Sequence, residues 1–353
     1  ILFTVAHPHP LSFGRHRPPD RANESIRKIY PAARETMDGP GDESGDDSDG
    51  SGLLLGDVGF LFESSAKASS VFYEFGTARA ELTAIDDDPG AVQSGHYVWP
   101  AANVLCRYLV REASGGGEGR GALSVVELGC GCGLCGLVVA QISPDDLVLF
   151  VESQAGITGG GADVGVERGA PPSSCAISLT FTDHDHTVLE RCRTNRDATS
   201  NLLGSAGPVN SHISAALEGA TFHLLRWGGV GAAGVEAQPT EPVLVLGSDL
   251  IYCREVVRPL LGTVAGLLLG GAAAGSNRSN GERNPRVSPA VMVMAQSFAY
   301  DDETEDEIDA CCAEMGLERR TVEEGGDGNP ASGDADGGGG NVKIQIFRPM
   351  VPI

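Results

Sequence analysis

The chain reads as an α/β protein built on a mainly parallel sheet with helices packed against it, and three observations predict this. Val125 to Leu128 is an apolar run without polar alternation, as in a strand buried on both faces. It breaks into the glycine-rich turn GCGCG, after which Leu134 to Gln141 has helical character, so strand, turn and helix form the opening of a βαβ unit. Downstream, CAISLTFTD (Cys175 to Asp183) is a second strand that ends in an acid, and further apolar runs alternate with helix-patterned segments. Such alternation argues a parallel sheet whose sites lie at the carboxyl ends of its strands.

Taken in order, residues 1–52 carry no sustained periodicity, several prolines and then the acidic run DGPGDESGDDSDGSG, which predicts a disordered acidic leader. Residues 53–93 alternate short apolar runs with polar residues and predict a small, strand-rich N-terminal extension. The main domain is expected over 94–353. It opens with SGHYVWPAANVLCRYLVREA, a loop feeding a helix in which Pro100 occupies the first turn and Ala101, Val104, Leu105, Tyr108 and Leu109 share a face. Gly115 to Gly121 is a flexible link into the glycine turn.

The stretch between Ile142 and Cys175 exceeds the few residues that normally join a helix to its next strand, so a surface insertion, or an artefact of gene prediction, is expected over 143–174. A competing register makes LVLFVES the second strand with Glu152 as its terminal acid, which fits the usual spacing of about 20 residues better than Asp183. Further strands are expected in ATFHLLRW, EPVLVLGSD, PAVMVMAQSF and VKIQIFRP, with helices at Val256 to Leu269 and Thr304 to Gly316 and a second insertion near 323–340.

Composition narrows the function classes. The 353 residues suffice for one large domain or two. The nine cysteines are an odd number without a signal peptide ahead of them, which points to a reducing compartment, cytoplasmic or nuclear. The chain lacks an initiator Met, as a fragment would. The longest apolar candidate for a membrane span, Val256 to Gly275, is broken by Arg258, Pro259 and several glycines, so no membrane is expected. A net charge of −23 argues against direct nucleic-acid binding and favours a protein partner with a basic segment, bound by a monomer.

Cys130, Cys132 and Cys135 invite a metal, but their single C-x2-C has no second pair downstream, and they read instead as small residues filling tight space. His184 and His186, alternating with Asp183 and Asp185, read as a polar turn, so no metal is expected. Tyr108 and Tyr300 read as packing residues, and Asp301 to Asp309 as a solvated helix face. A glycine turn after the first strand lets backbone approach a ligand closely, and an acid closing the second strand accepts from ribose hydroxyls. The pattern E-x-G-x-G-x-G from Glu127 to Gly133 differs from the dinucleotide G-x-G-x-x-G.

VVELGCGCGLCGL resembles the first motif of the seven-strand S-adenosylmethionine methyltransferases. With SGHYVWPAANVLCRYL, LTFTDHDHTVLERCRTN, FHLLRWG and VLVLGSDLIYCREVVRPLL, the chain is similar to the family 16 protein-lysine methyltransferases, which include the methyltransferase-like 21 group and the enzyme acting on elongation factor 2. The match runs from about Ser94 to Leu261 and more weakly to Arg348. The resemblance implies a Rossmann-like, seven-stranded sheet with helices on both faces and S-adenosyl-L-methionine as cofactor. It places Glu127, Gly129, Cys130, Gly131 and Gly133 at the cofactor, Asp183 on the ribose, and Ser248 on the pocket wall. Trp99 and Trp227, the two tryptophans of the chain, take the pocket-lining positions. Asp249 and Tyr252 match the family's D-x-x-Y, where a carboxylate and a tyrosine bind and orient an incoming amine while leaving its lone pair free. Arg226, where the family often has Asp, and the 143–174 stretch are departures. The implied function is methylation of lysine on a non-histone protein; histidine or arginine targets, and a catalytically silent interaction module, are the alternatives.

Overall fold

A computed structural model describes residues 68–85, 95–114, 122–156, 176–207, 209–228, 242–273, 288–322 and 342–350. The expected leader, the 323–340 insertion and residues 157–174 lie outside these.

The chain first folds into an antiparallel hairpin, β1 (Ala68–Phe75) and β2 (Ala78–Ile85), with Phe75 opposite Ala78. Gly76, at φ 60°, supplies the left-handed residue that so short a turn requires. Ala78, Ala80, Leu82 and Ala84 of β2 point inward by simple alternation.

Seven further strands form one sheet: β3 (Leu123–Glu127), β4 (Ile177–Asp183), β5 (Thr221–Leu224), β6 (Val243–Ser248), β7 (Ala290–Gln296), β8 (Leu317–Val322) and β9 (Lys343–Pro349). Their spatial order is β5-β4-β3-β6-β7-β9-β8, parallel from β5 to β7 and antiparallel at both edges of β9. This is the seven-stranded, mainly parallel sheet that the sequence implies. All five residues of β3 are buried, which is why that strand shows no alternation. Successive side chains serve two cores. Val125, Leu244, Leu246, Val291 and Val293 face one, and Val126, Val243, Val245, Met292 and Met294 face the other.

Seven α-helices complete the described fold: α1 (Pro100–Glu112), α2 (Leu134–Val139), α3 (Pro144–Gln154), α4 (His186–Ser205), α5 (Ser211–Glu218), α6 (Val257–Ala273) and α7 (Asp302–Met315). The first core takes its helical side chains from α1 to α5 and also packs the hairpin, while α6 and α7 close the second. Local chemistry starts these helices where they start. Pro100 stands at the head of α1. The Asp185 carboxylate accepts from Thr187 N at 2.7 Å to cap α4, and Asp301 accepts from Thr304 N at 2.9 Å to cap α7. No helix among the described residues is long and apolar enough to cross a membrane.

Two expectations are decided here. Leu179 pairs with Val125, so β4 is the second strand of the parallel sheet and Asp183 its terminal acid, whereas LVLFVES lies in α3 with Glu152 on a helix. The expected insertion over 143–174 is corrected for its first part, because Leu147, Val148, Phe150 and Val151 of α3 are buried in the first core. An apolar run of this length fits a strand or a buried helix equally, and only the tertiary partner separates them. β8 and α5 were not foreseen. LERRTV buries Leu317 alone among its six residues, as an edge strand can, and so lacks the apolar run that marks a central one.

Candidate functional site

Moving outward from β3, the chain winds to β4 on one side and to β6 on the other, so the carboxyl ends of β3 and β6 frame a crevice where the connections diverge. A cleft with about 310 Å³ of empty space, open to solvent, lies there. Trp99, Glu127, Gly129, Cys130, Gly131 and Ser248 line it, joined by Tyr97, Val98, Ala102, Cys132 and Leu134. Six residues singled out in the sequence thus meet in one cavity.

The glycine loop owes its shape to three left-handed residues, Gly129 at φ 54°, Gly131 at 52° and Gly133 at 85°. Space demands glycine as much as conformation does. A Cβ on Gly129 would stand 2.8 Å from Leu250 Cδ2 and 3.4 Å from Trp227 Cζ2, and one on Gly133 would stand 2.5 Å from Cys192 Sγ. Cys130 N donates to Thr182 O at 2.8 Å and Gly133 N to Cys130 O at 2.7 Å, which pins the loop to the end of β4. Gly133 therefore shapes the loop from behind without lining the cleft. The three loop cysteines are free and buried. Burial pushes the Cys132 thiol up to about 12, and hydrogen bonding to Cys106 together with burial holds Cys135 well above its ordinary range. They are neutral packing groups.

Two acids flank the loop. Glu127 Oε2 accepts from Gly136 N at 2.8 Å, an unpaired amide of the first turn of α2, and burial raises its carboxyl to about 8. Asp183, almost fully buried, accepts from Gly131 N at 3.3 Å through Oδ2 and from Asp185 N at 3.1 Å through Oδ1. His184 Nδ1 lies 3.2 Å from the same Oδ1, and its hydrogen bond to Asp183 raises the imidazole above its ordinary value.

The tryptophans sit on different elements. Trp99 precedes α1 in an extended conformation with Tyr97 edge-on at 5.5 Å, while Trp227 follows β5 and rests on Gly129 and the second core. Arg226 is exposed beside it.

Asp249 follows β6 in a left-handed conformation at φ 52°, the one non-glycine residue among those described to do so. Its Oδ1 accepts from Ser297 N at 2.7 Å and Ser297 Oγ at 2.9 Å, and its Oδ2 from Ala101 N at 3.3 Å. Burial raises this carboxyl to about 6. Tyr252 is half-buried just beyond and does not line the cleft.

Tyr108 packs edge-on against Phe150 as expected, but Tyr300 is corrected: its hydroxyl donates to Gln296 Oε1 at 3.0 Å and accepts from Gln345 Nε2 at 3.1 Å, so it is part of a polar network. Sequence reading also missed Tyr97 and Asn195. Fully buried Asn195 donates to Cys132 O at 2.9 Å and accepts from Thr83 N at 2.8 Å, tying the glycine loop to the hairpin. Its signal was present, since Asn195 falls at helical spacing from buried Val188 and Cys192, where a polar residue needs a partner.

Among solved structures, the chain is similar to the Geobacter metallireducens precorrin-6y C5,15-methyltransferase, at 10% identity over 70% of this chain and 86% of that one with a TM-score of 0.34. It is also similar to the human methyltransferase 10 domain containing protein, at 6% identity, 72% and 84% coverage and a TM-score of 0.36. A third is TrmK of M. capricolum in complex with S-adenosyl-homocysteine, at 6% identity, 72% and 69% coverage and a TM-score of 0.30. Likeness at this level bears on neither substrate nor residue roles. No curated protein matches the chain. Residues 78–157, which build β2, α1, β3, the glycine loop, α2 and α3, match the family described as lysine methyltransferase. This stretch, under a quarter of the chain, contributes most of the cleft wall.

Proposed function

We propose that the chain is an S-adenosyl-L-methionine-dependent protein methyltransferase whose acceptor is a lysine on a non-histone protein with a basic segment. The observation that carries the cofactor is the pairing of Glu127 with α2. In nucleotide-binding α/β folds the first helix offers its N-terminal amides to a phosphate. Here the Glu127 carboxyl already occupies that place on Gly136 N, so this amide is not free for a phosphate. Asp183, hydrogen-bonded to Gly131 N, is the acid assigned to the ribose hydroxyls in this reading. The side-chain-free backbone of Gly129 and Gly131 lets a ligand lie close, and Trp99 offers an apolar wall, while Trp227 packs behind Gly129 and outside the cleft lining.

S-adenosyl-L-methionine, when bound, supplies an electrophilic methyl group on a sulfonium. The residues of the chain then have to present a neutral amine in line with it, because an ammonium near its ordinary pKa of about 10.4 has no lone pair to give. Asp249 is the group for that task. Its carboxyl at about 6 is largely ionised at neutral pH, and it directly follows Ser248 of the cleft wall. An amine donating one N–H to Asp249 keeps its lone pair free for the methyl. The net charge of −23 complements a basic substrate segment.

Incubation of the full chain with tritiated S-adenosyl-L-methionine and a cell lysate should label a protein on lysine, and calorimetry should show that the cofactor binds. Asp249→Ala should retain cofactor binding and lose transfer. A wild-type chain that binds no cofactor sinks the proposal. Label on arginine or histidine would reassign the acceptor.

A further inference from the structure

We propose that Ser297 is a positioning residue for methyl transfer: it orients the Asp249 carboxylate so that one oxygen is saturated by the protein and the other is left to the incoming amine. The inference rests on the role given to Asp249 above.

The hydrogens available around the carboxylate limit how it is satisfied. Oδ1 of Asp249 takes the Ser297 amide at 2.7 Å and its hydroxyl at 2.9 Å. The hydroxyl also lies 2.9 Å from Oδ2, but a serine carries one hydroxyl proton and satisfies one oxygen at a time. With that proton on Oδ1, Oδ2 keeps only the longer bond from Ala101 N at 3.3 Å. A carboxylate oxygen accepts two donors, so Oδ2 has room for one more. Ala101 is the second residue of α1 and follows Trp99 by two, so this same oxygen sits next to the element that carries a cleft wall.

The clasp also explains the backbone. A left-handed conformation costs an L-residue on the order of 1 kcal/mol, and it persists where surrounding bonds over-determine it. Asp249 N donates to Ala295 O at 2.9 Å, so Ala295 near the end of β7 holds the residue by its amide and Ser297, just past the strand, holds it by its carboxylate. The next element of the turn is held from the same place. Gln296, fully buried, donates from Nε2 to Ile251 O at 3.3 Å while its Oε1 accepts from Tyr300. Tyr300 is anchored by Gln345, Gln345 by Arg319 Nε at 2.7 Å, and Arg319 by Glu305 at 2.7 Å and Asp309 at 3.1 Å. A chain of paired polar groups thus runs from the antiparallel edge of the sheet to the turn between Asp249 and Tyr252. Gln296 and Ser297 act as its two fingers.

The test uses the full chain, tritiated S-adenosyl-L-methionine, and the lysate protein that the labelling experiment identifies. Ser297→Ala keeps the amide bond and removes the hydroxyl. It should lower kcat about tenfold or more, as a misplaced orienting group does, with the cofactor Kd and the substrate KM within about twofold of wild type. Ser297→Thr, which keeps an Oγ, should restore most of the rate. Ser297→Cys, nearly isosteric with a weak donor, should behave like Ser297→Ala and stands in for it if that variant does not fold. An unchanged kcat in Ser297→Ala overturns the inference, and so does a loss that lies wholly in KM or cofactor affinity, or a Ser297→Thr protein as slow as Ser297→Ala. A wild-type chain that binds cofactor but labels nothing removes the methyltransferase reading itself, and the inference falls with it, a result distinguishable because it appears before any variant is made.

Discussion

Replacing Glu127 with glutamine should make the protein less sensitive to alkali. The carboxyl is buried against α2, and its pKa rises from an ordinary value of 4.5 to about 8, chiefly through loss of solvation. Because the folded value lies above the unfolded one, the native state holds an extra proton between those limits. Stability from this source is fully present below about pH 4.5 and is lost as the pH rises through about 8. At roughly 1.4 kcal/mol per pH unit the full interval corresponds to roughly 5 kcal/mol, an upper bound that local relaxation reduces. Glutamine has nearly the same shape and still accepts from Gly136 N, but it has no charge to desolvate. Urea unfolding followed by tryptophan fluorescence at pH 5, 7 and 8.5 should therefore show a Glu127→Gln advantage that is small at pH 5 and grows by roughly 2–4 kcal/mol at the highest pH. Asp249, also raised, titrates in both proteins and cancels in the difference. A difference that stays constant across this range would refute the claim that burial controls Glu127.

Asp183→Ala should weaken S-adenosyl-L-methionine binding by about tenfold or more in calorimetry, since hydrogen bonds to a charged acceptor are worth about 1.5–3 kcal/mol each, and Glu152→Ala, on α3, should not. Equal effects of the two would undo the assignment of the ribose acid. Gly133→Ala forces a side chain into a left-handed position 2.5 Å from Cys192 Sγ and should destabilise the fold by about 1–3 kcal/mol, read as a lower thermal midpoint. A wild-type midpoint would mean that the loop adjusts freely. Leu147→Ala, in the stretch that its length marks as an insertion, should cost about 2–5 kcal/mol in urea unfolding because the side chain is fully buried; a neutral effect would return α3 to the surface.

Local signals sufficed where the structure makes a local demand. β3 is buried on both faces and so shows no apolar–polar alternation around Val125 and Val126, and the three left-handed positions after it require glycine, so strand and loop were legible from Val125 to Gly133. Resemblance added Ser248 and the two tryptophans, and it chose Asp183 where distance from the loop favoured Glu152. Pairing decided that point, because Leu179 lies opposite Val125 and leaves LVLFVES to a helix. The same limit hid β8, whose solvent-facing residues carry charge as an edge strand tolerates. The contacts that hold the site together are remote in sequence. Ser297 is 48 residues from Asp249, Gln296 is 45 from Ile251, and Asn195 is 63 from Cys132. Hydrophobic periodicity reports which way a residue faces, but a hydrogen bond between two strand ends depends on which strands are neighbours and in what register, and that information exists only once the sheet has formed.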